Sequence, residues 1–431
     1  MTRKPARLLR ALLVLCLLAP GAGCAADEPD PLVVLGPWTG QEGAAFEAAL
    51  EKLDDGTGRE YTYEGTRSLR ETLLSQLEAD APPDVAILNS IGELTEYARR
   101  GRLRPLADEA AERAYSPWAP PLLVDRANRR YWVPLKVDVK SLVWSEEGAS
   151  SEDPEWCVGL ASQATSGWPG TDWIEDILLH QAGDGFYEKW ATGREKWSSP
   201  AVERAWTTWA RLLGDRDPAS VRLSLTTSYE GESVQGEGKP RGLLDSPAFG
   251  GCTHEHQSAF VRYLYTDDKV RVEPSARFLD GRPEYRDAYE VAGDMAAVFS
   301  DDPAAQELVE RLSSPGGRQA WRDAADPPVR PLFPDTAELP PASDDDPFEQ
   351  EIASLLTSRA RTLCFDASDV MPPELRDAFH RAVLEYFRDP APGHLKSLLE
   401  QLDTVSARVD DDYSGDRSFR PPQDICADTG G

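Results

Sequence analysis

After position 30 the chain alternates between two hydrophobic rhythms. "PLVVL" (31–35), "EYTY" (60–63) and "PDVAIL" (83–88) are short β-prone runs of strand length. Between them "QEGAAFEAALEKL" sets Phe46, Leu50 and Leu53 at i, i+4, i+7. "SLRETLLSQL" aligns Leu69, Leu73 and Leu77, and "IGELTEYARRG" stops at Gly101. Strand-helix-strand-helix order predicts an α/β fold with a mostly parallel sheet covered on both faces. Ligands of such sheets bind beyond the carboxyl ends of the strands. The residues there are "GPWTG" with Trp38, followed by Gln41 at the next helix, and Asn89–Ser90 after the third strand.

The pattern then changes. "YWVPLKVDVKSLVW" (131–144) is β-rich and puts Lys136, Asp138 and Lys140 on one face at i, i+2, i+4. Residues 145–290 are aromatic and irregular, with helices expected near 172–182, 184–192 and 200–213 and a mobile, loop-rich stretch at 226–241. "EVAGDMAAVF" (290–299) reads as a strand, and Pro303 opens a helix carrying Leu308 and Leu312. A Pro/Asp-rich linker (328–347) precedes helices at 372–388 and 392–404. The rest is polar and acidic and is expected to be a solvated tail.

Charge narrows the function. The net charge is −29, which excludes a phosphate-binding face and makes nucleic acid an unsuitable partner. "MTRKPARLLR" followed by "ALLVLCLLA" and "PGAGC" reads as a secretory signal too short to span a bilayer. Small residues directly before Cys24 resemble a bacterial lipobox, so Cys24 is expected to be lipidated and to hold the protein at the outer face of the membrane. Loss of residues 1–23 would leave a charge of about −33, because four basic residues and no acidic ones go with them. The exported remainder has four cysteines, Cys157, Cys252, Cys364 and Cys426, which admit three disulfide pairings. The favoured one is Cys157–Cys252 with Cys364–Cys426.

"TSGWPGTDWIED" (165–176) concentrates tryptophan and carboxylate around a turn. A sugar ring offers an apolar face for an aromatic ring and a rim of hydroxyls that both donate and accept. Trp168, Asp172 and Trp173 suit that chemistry. Trp168 is the preferred stacking floor, and Trp173 shares a helix face with Ile177, as a core residue would. Thr171 is the expected N-cap of the helix.

The segments "VVLGPWTGQEGAAFEAAL", "PPDVAILNSIGELTEYARRGRL", "YWVPLKVDVKSLVW", "SGWPGTDWIEDILL", "VAGDMAAVF" and "FDASDVMPPELRDAF" together resemble the extracellular substrate-binding proteins of ABC sugar importers, nearest to the α-glucoside-binding branch. The resemblance spans about residues 31–404. It implies a two-lobed periplasmic-binding-protein-like fold (type II), each lobe a mostly parallel sheet flanked by helices. Residues 31–143 and 292–333 would form one lobe, 144–291 and 334–404 the other, 24–30 a tether and 405–431 an acidic tail. Cys157 and Cys252 would then share a lobe, which supports the favoured pairing. By position in the family pattern the ligand-binding candidates are Trp38, Gln41, Asn89, Asp138, Trp168, Asp172, Trp173, Gly293, Asp294 and His380. His380 stands where the family usually has tryptophan, and the linker after Trp144 is short.

The resemblance implies a monomeric receptor, without cofactor or metal, that takes a carbohydrate and passes it to ABC permease subunits. The departures motivate a second expectation, a scaffold serving as a sensor or surface interaction lipoprotein. An enzyme is not expected: no carboxylate pair is singled out for glycosidic chemistry, and phosphate-loop and nucleophile-elbow patterns are missing. Glu255 between His254 and His256 lacks a further metal ligand. The Asp410-x-Asp412-x-Ser414 run has Pro421 where a calcium loop needs glutamate.

Overall fold

The computed structural model describes residues 30–53, 59–231, 242–266, 269–279, 283–334, 346, 348–416 and 418–429. The signal, Cys24 and all but the last residue of the tether lie outside them. So do residues 232–241 of the loop-rich stretch and most of 328–347.

The first lobe grows from the alternating segment. Strands β1 (Leu32–Gly36), β2 (Tyr61–Gly65) and β3 (Val85–Leu88) are parallel, with β1 in the middle. Helices α1 (Gly40–Lys52), α2 (Leu69–Glu78) and α3 (Ile91–Arg99) cover the strands. Phe46, Leu50 and Leu73, the residues of the helical stripes, are buried with Val34, Val85 and Ile87. Ser90 caps α3 by accepting from the Glu93 N–H at 3.2 Å. Helix α4 (Asp108–Glu112) and the hairpin β4 (Leu122–Val124) with β5 (Ala127–Arg129) complete the stretch before the hinge.

Strand β6 (Trp132–Val139) then runs out of the lobe, and β7 (Leu142–Glu146) continues beyond it. The second lobe adds α5 (Trp168–Ala182), α6 (Asp184–Ala191), α7 (Pro200–Leu213), α8 (Pro218–Thr226), β8 (His254–His256) and β9 (Val270–Pro274). The long β10 (Ala288–Val298) brings the chain back. Its first half pairs parallel with β11 (Thr362–Phe365), and its second half pairs antiparallel with β3. Strand β6 lies antiparallel along both halves, with a bulge at Asp294/Met295. A third crossing is marked by the Val137 N–H donating to the Leu332 carbonyl at 2.9 Å. Helices α9 (Pro303–Ser313) and α10 (Pro315–Ala324) pack on the first lobe, and α10 lies against α1. Helices α11 (Glu349–Thr357), α12 (Ala367–Val370), α13 (Pro373–Arg388) and α14 (Pro392–Ser414) follow, with α13 against α5 and α14 against α7.

The two-lobed α/β architecture is as expected, and three local expectations change. The second lobe's central sheet, β8-β7-β9, is antiparallel on both sides rather than mostly parallel. Helices α5 to α8 all lie between β7 and β8, yet the chain returns along β7 in the opposite direction, and β9 also pairs with β7 antiparallel. Helix α5 starts at Trp168, not near 172, because Gly167 at φ 109° turns the chain and Pro169 enters the first helical turn. Thr171 is therefore inside the helix, its hydroxyl donating back to the Trp168 carbonyl at 3.0 Å. The acidic tail is folded. Helix α14 continues to Ser414, which places Asp410, Asp412 and Ser414 in a helix rather than a calcium loop. The strands β12 (Phe419–Arg420) and β13 (Cys426–Asp428) follow. Cys157–Cys252 and Cys364–Cys426 are the disulfides.

Gly167 is also a point of close approach. A Cβ there would lie 2.4 Å from the His380 carbonyl oxygen, in a backbone region that side chains rarely adopt. Gly167→Ala should cost about 1–3 kcal/mol and move the α5 entrance against α13. Urea denaturation checks the size of the loss.

Candidate functional site

The hinge strands position the site. Lys136 and Asp138 on β6 and Asp294 on β10 stand side by side, Lys136 pairing in register with Asp294 and Asp138 with Ala292. Lys136 Nζ donates to Glu42 Oε1 at 2.9 Å and lies 3.9 Å from Asp294 Oδ2. Glu42, Lys136 and Asp138 from this side face Phe260, Arg262 and Tyr263 from the second lobe across a narrow space of about 10 Å³. Trp168 adjoins the same wall, half-buried, with its ring 6.1 Å from Phe260 and 5.5 Å from Tyr229. At the rim Glu230 joins the lobes, accepting from Arg67 Nη2 at 3.3 Å and from the Tyr263 hydroxyl at 3.2 Å.

Burial dominates the electrostatics here. It pushes the Asp138 carboxyl up to about 6 against the pull of Lys136, and it raises Asp294 as well. Asp138 is therefore poised to change charge close to neutral pH.

Beneath Trp168 lies a second, deeper group. Lys140 Nζ donates to Asp172 Oδ1 at 3.0 Å and to Asp366, and sits 5.6 Å from the Trp168 ring centroid. Glu175, Glu290 and Asp369 are close by. Glu175 accepts from the Ala367 and Ser368 N–H groups at 2.6 and 3.1 Å. Both Glu290 carboxylate oxygens are buried without a hydrogen-bond partner among the described residues. Burial and neighbouring carboxylates hold Glu175, Glu290 and Asp369 well above the carboxylate range. Burial would also raise Asp366, but the Lys140 ammonium and local hydrogen bonds outweigh it and keep the group low. Asp172, Glu290 and Asp366 come within 4.8 Å of one another and could hold a metal ion. Lys140 already supplies a cation in that place.

The sequence-derived candidates therefore separate. Asp138 lines that space, and Trp168 packs against Phe260 of its wall. Asp294 is one layer behind, accepting from the Trp38 indole N–H at 3.1 Å. Trp38 is 3 % exposed and wedged between Phe46 and Trp321 at 4.8 and 4.6 Å, so it is a packing residue and not a free stacking face. Gly293 lets the backbone pass closely, since a Cβ there would sit 3.0 Å from both the Lys136 carbonyl and the Trp118 ring. Gln41 is exposed, and its neighbour Glu42, one step round the helix, reaches Lys136. Asn89 donates to Asp369 Oδ2 at 3.2 Å across the lobes. Asp172 belongs to the Lys140 network. Trp173 is core, stacked on His256 at 4.5 Å and edge-on to Trp156 at 4.6 Å. His380 is buried beside Arg376, and burial pushes its imidazole down to about 3, so it stays neutral. Residues missed from sequence are Glu42, Tyr229, Phe260, Arg262 and Tyr263. An aromatic cluster around "AFVRY" was the available signal.

No protein-family model matches the chain. The chain is 28 % identical over 389 residues to the alpha-glucosides-binding periplasmic protein AglE of Rhizobium meliloti, covering 80 % of each. It is related to the solute-binding proteins of transporters. A second such relative is the osmoprotective compounds-binding protein GgtB of Synechocystis, 27 % identical over 400 residues, covering 84 % of this chain and 89 % of that one. Among solved structures, an ABC transporter solute-binding protein from Agrobacterium radiobacter in complex with ribitol superposes with a TM-score of 0.55 at 14 % identity. It covers 89 % of this chain and 99 % of its own. The relatives are named as binding proteins, and the fold shared with the solved structure is the two-lobed one seen here. Among the described residues, no helix is long and apolar enough to cross a membrane.

Lys140→Met should destabilise the protein by about 3–5 kcal/mol, because it leaves buried carboxylates without their cation. Without Lys140 those carboxylates take up protons more readily in the folded state than in the unfolded chain. The loss should therefore be larger at pH 8 than at pH 5. Urea midpoints at the two pH values, compared with the parent's, check this.

Proposed function

We propose that the protein is an extracytoplasmic receptor that captures a carbohydrate, an α-glucoside or related oligosaccharide, and delivers it to an ABC permease while Cys24 anchors it to the membrane. The observation that carries this reading is the cleft itself. An aromatic wall of Trp168, Phe260 and Tyr263 faces Glu42, Lys136 and Asp138. That is a stacking surface opposite donors and acceptors matched to hydroxyls. The relationship to AglE over most of both chains supports the same ligand class. Closure on the sugar is a population shift driven by contacts made only when the lobes meet.

A second reading has its own observation. Lys136 with Glu42 on one side, Lys140 with Asp172 and Asp366 beneath, and Arg67 with Glu230 between the lobes already satisfy one another. A protein whose cleft is internally paired could serve as a sensor or surface interaction lipoprotein instead.

Calorimetric titration with maltose, trehalose, sucrose and raffinose separates the two. Micromolar binding, about −8 kcal/mol, that weakens at least tenfold in Trp168→Ala supports the receptor. A folded protein that binds none of the four supports the second reading.

Affinity should also depend on pH. If Asp138 accepts ligand hydroxyls as a carboxylate, binding should strengthen as pH rises through about 6. In Asp138→Asn that rise should flatten. Titrations at pH 5, 6 and 7.5 on both proteins check it.

A further inference from the structure

The C-terminal segment crosses between the lobes twice. Helix α14 lies on α13 and α7 of the second lobe. Its last turn reaches α3 of the first. The Tyr413 hydroxyl donates to Glu96 Oε1 at 2.7 Å, and Arg99 Nη2 donates to Asp412 Oδ2 at 2.7 Å. The Arg99 guanidinium also sits 4.9 Å from the Tyr413 ring centroid. Further on, the Asp125 N–H donates to the Ser418 carbonyl at 2.8 Å. Strand β12 then pairs antiparallel with β4, Phe419 opposite Val124 and Arg420 opposite Leu123. Phe419 is buried and stacks on Tyr413 at 6.2 Å.

The chain next returns to the second lobe. The Ile425 N–H donates to Glu188 Oε2 at 3.1 Å, and the Phe365 N–H donates to the Ile425 carbonyl at 2.8 Å. Strand β13 pairs with β11, and Cys426 is bonded to Cys364. Both ends of the segment are thus held by one lobe while its middle is held by the other.

We infer that residues 412–416 and 418–420 belong to a covalently closed strap that clasps α3 and β4 of the first lobe and limits how far the cleft opens. The lobes are otherwise joined through β6, β10 and the third crossing, and rotation about these segments must break or drag the strap. Helix α3 is already gripped at its other end, where Arg376 Nη2 donates to Glu93 Oε1 at 2.6 Å and the Ser90 hydroxyl donates to the Asp369 carbonyl at 3.1 Å. The strap adds a second grip more than a turn further along the helix, so α3 cannot pivot about one contact. The disulfide keeps the far end in place when the middle lets go. Re-engagement is then intramolecular and occurs at high effective concentration. This inference rests on the two-lobed fold and not on which ligand the cleft takes.

The test is a distance distribution in ligand-free, full-length protein, measured by electron–electron resonance between spin labels at Glu47→Cys on α1 and Arg204→Cys on α7, both exposed. In one variant Asp412→Asn with Tyr413→Phe weakens the grip on α3 and leaves the disulfide intact. In the other, Cys364→Ser with Cys426→Ser frees the far end. Both should populate separations longer by on the order of 5 Å, the size of a one-turn displacement. Distributions that superimpose on the parent's in folded variants would overturn the strap. If the variant lacking the Cys364–Cys426 bond does not fold, the Asp412/Tyr413 variant decides alone, because its changes are small and lie at the helix end.

Discussion

The antiparallel pairing of β6 with β10 is the constraint on which the rest depends. These two strands belong to both lobes at once, so their register fixes how the lobes face each other. The same register decides which side chains meet. Lys136, Asp138 and Lys140 share one face at i, i+2, i+4; Lys136 and Asp138 line the space between the lobes, and Lys140, just past the end of β6, reaches Asp172. A one-residue slip would turn every one of them the other way. The bulge at Asp294/Met295 lets β10 bend where the two lobes join and sets Asp294 against Trp38.

Placing these charges at a junction between lobes buries them, and burial has consequences that surface pairs would not show. Lys140 is the cation for a group of carboxylates drawn from α5, β10 and the β11–α12 turn, three segments remote in sequence. The carboxylates that Lys140 does not reach are held in the protonated range by desolvation. The base of the cleft is therefore a rigid polar layer, and Trp168 rests on it through the Lys140 contact. Above that layer Arg67, Glu230 and Tyr263 meet in a further contact between the lobes. The C-terminal chain lies on the α3 side of the same junction. Cleft, hinge and strap are then three contacts between the same two bodies, each made at a different distance from the β6–β10 pair.

Much of this was legible in the chain. The period of Phe46, Leu50, Leu73 and Leu77 gave the helices of the first lobe, because a local stripe needs one buried face and no knowledge of what covers it. Trp168 and Asp138 were offered on residue type together with position, and both lie near the junction of the lobes. Trp38 and Trp173 were offered on the same grounds and proved to be core. A tryptophan's sequence neighbours do not tell whether Phe46 and Trp321, or Trp156 and His256, will close over its ring. Gln41 missed by one residue, which on a helix is 100° of rotation. Glu42 carried no local signal, and the aromatic run that holds Phe260 and Tyr263 did not say what it would face across a gap.

The sequence by itself determined the α/β class, the alternation that builds the first lobe, and the β-rich run that carries Lys136, Asp138 and Lys140. These follow from short-range periodicity and residue chemistry, and they survive any rearrangement of distant segments. Tertiary structure alone decided that an acidic, polar C-terminus is ordered rather than solvated. Residues 405–429 have little apolar surface of their own. They are held by Glu96 and Arg99 on α3, by the free edge of β4, and by Cys364, groups that lie between 62 and 317 positions away and that only the folded lobes bring within reach. The same reason explains the charged cluster. No window of sequence around Lys140 contains Asp172, Glu290 or Asp366, so neither their pairing nor their protonation could be read before the hinge strands brought them together.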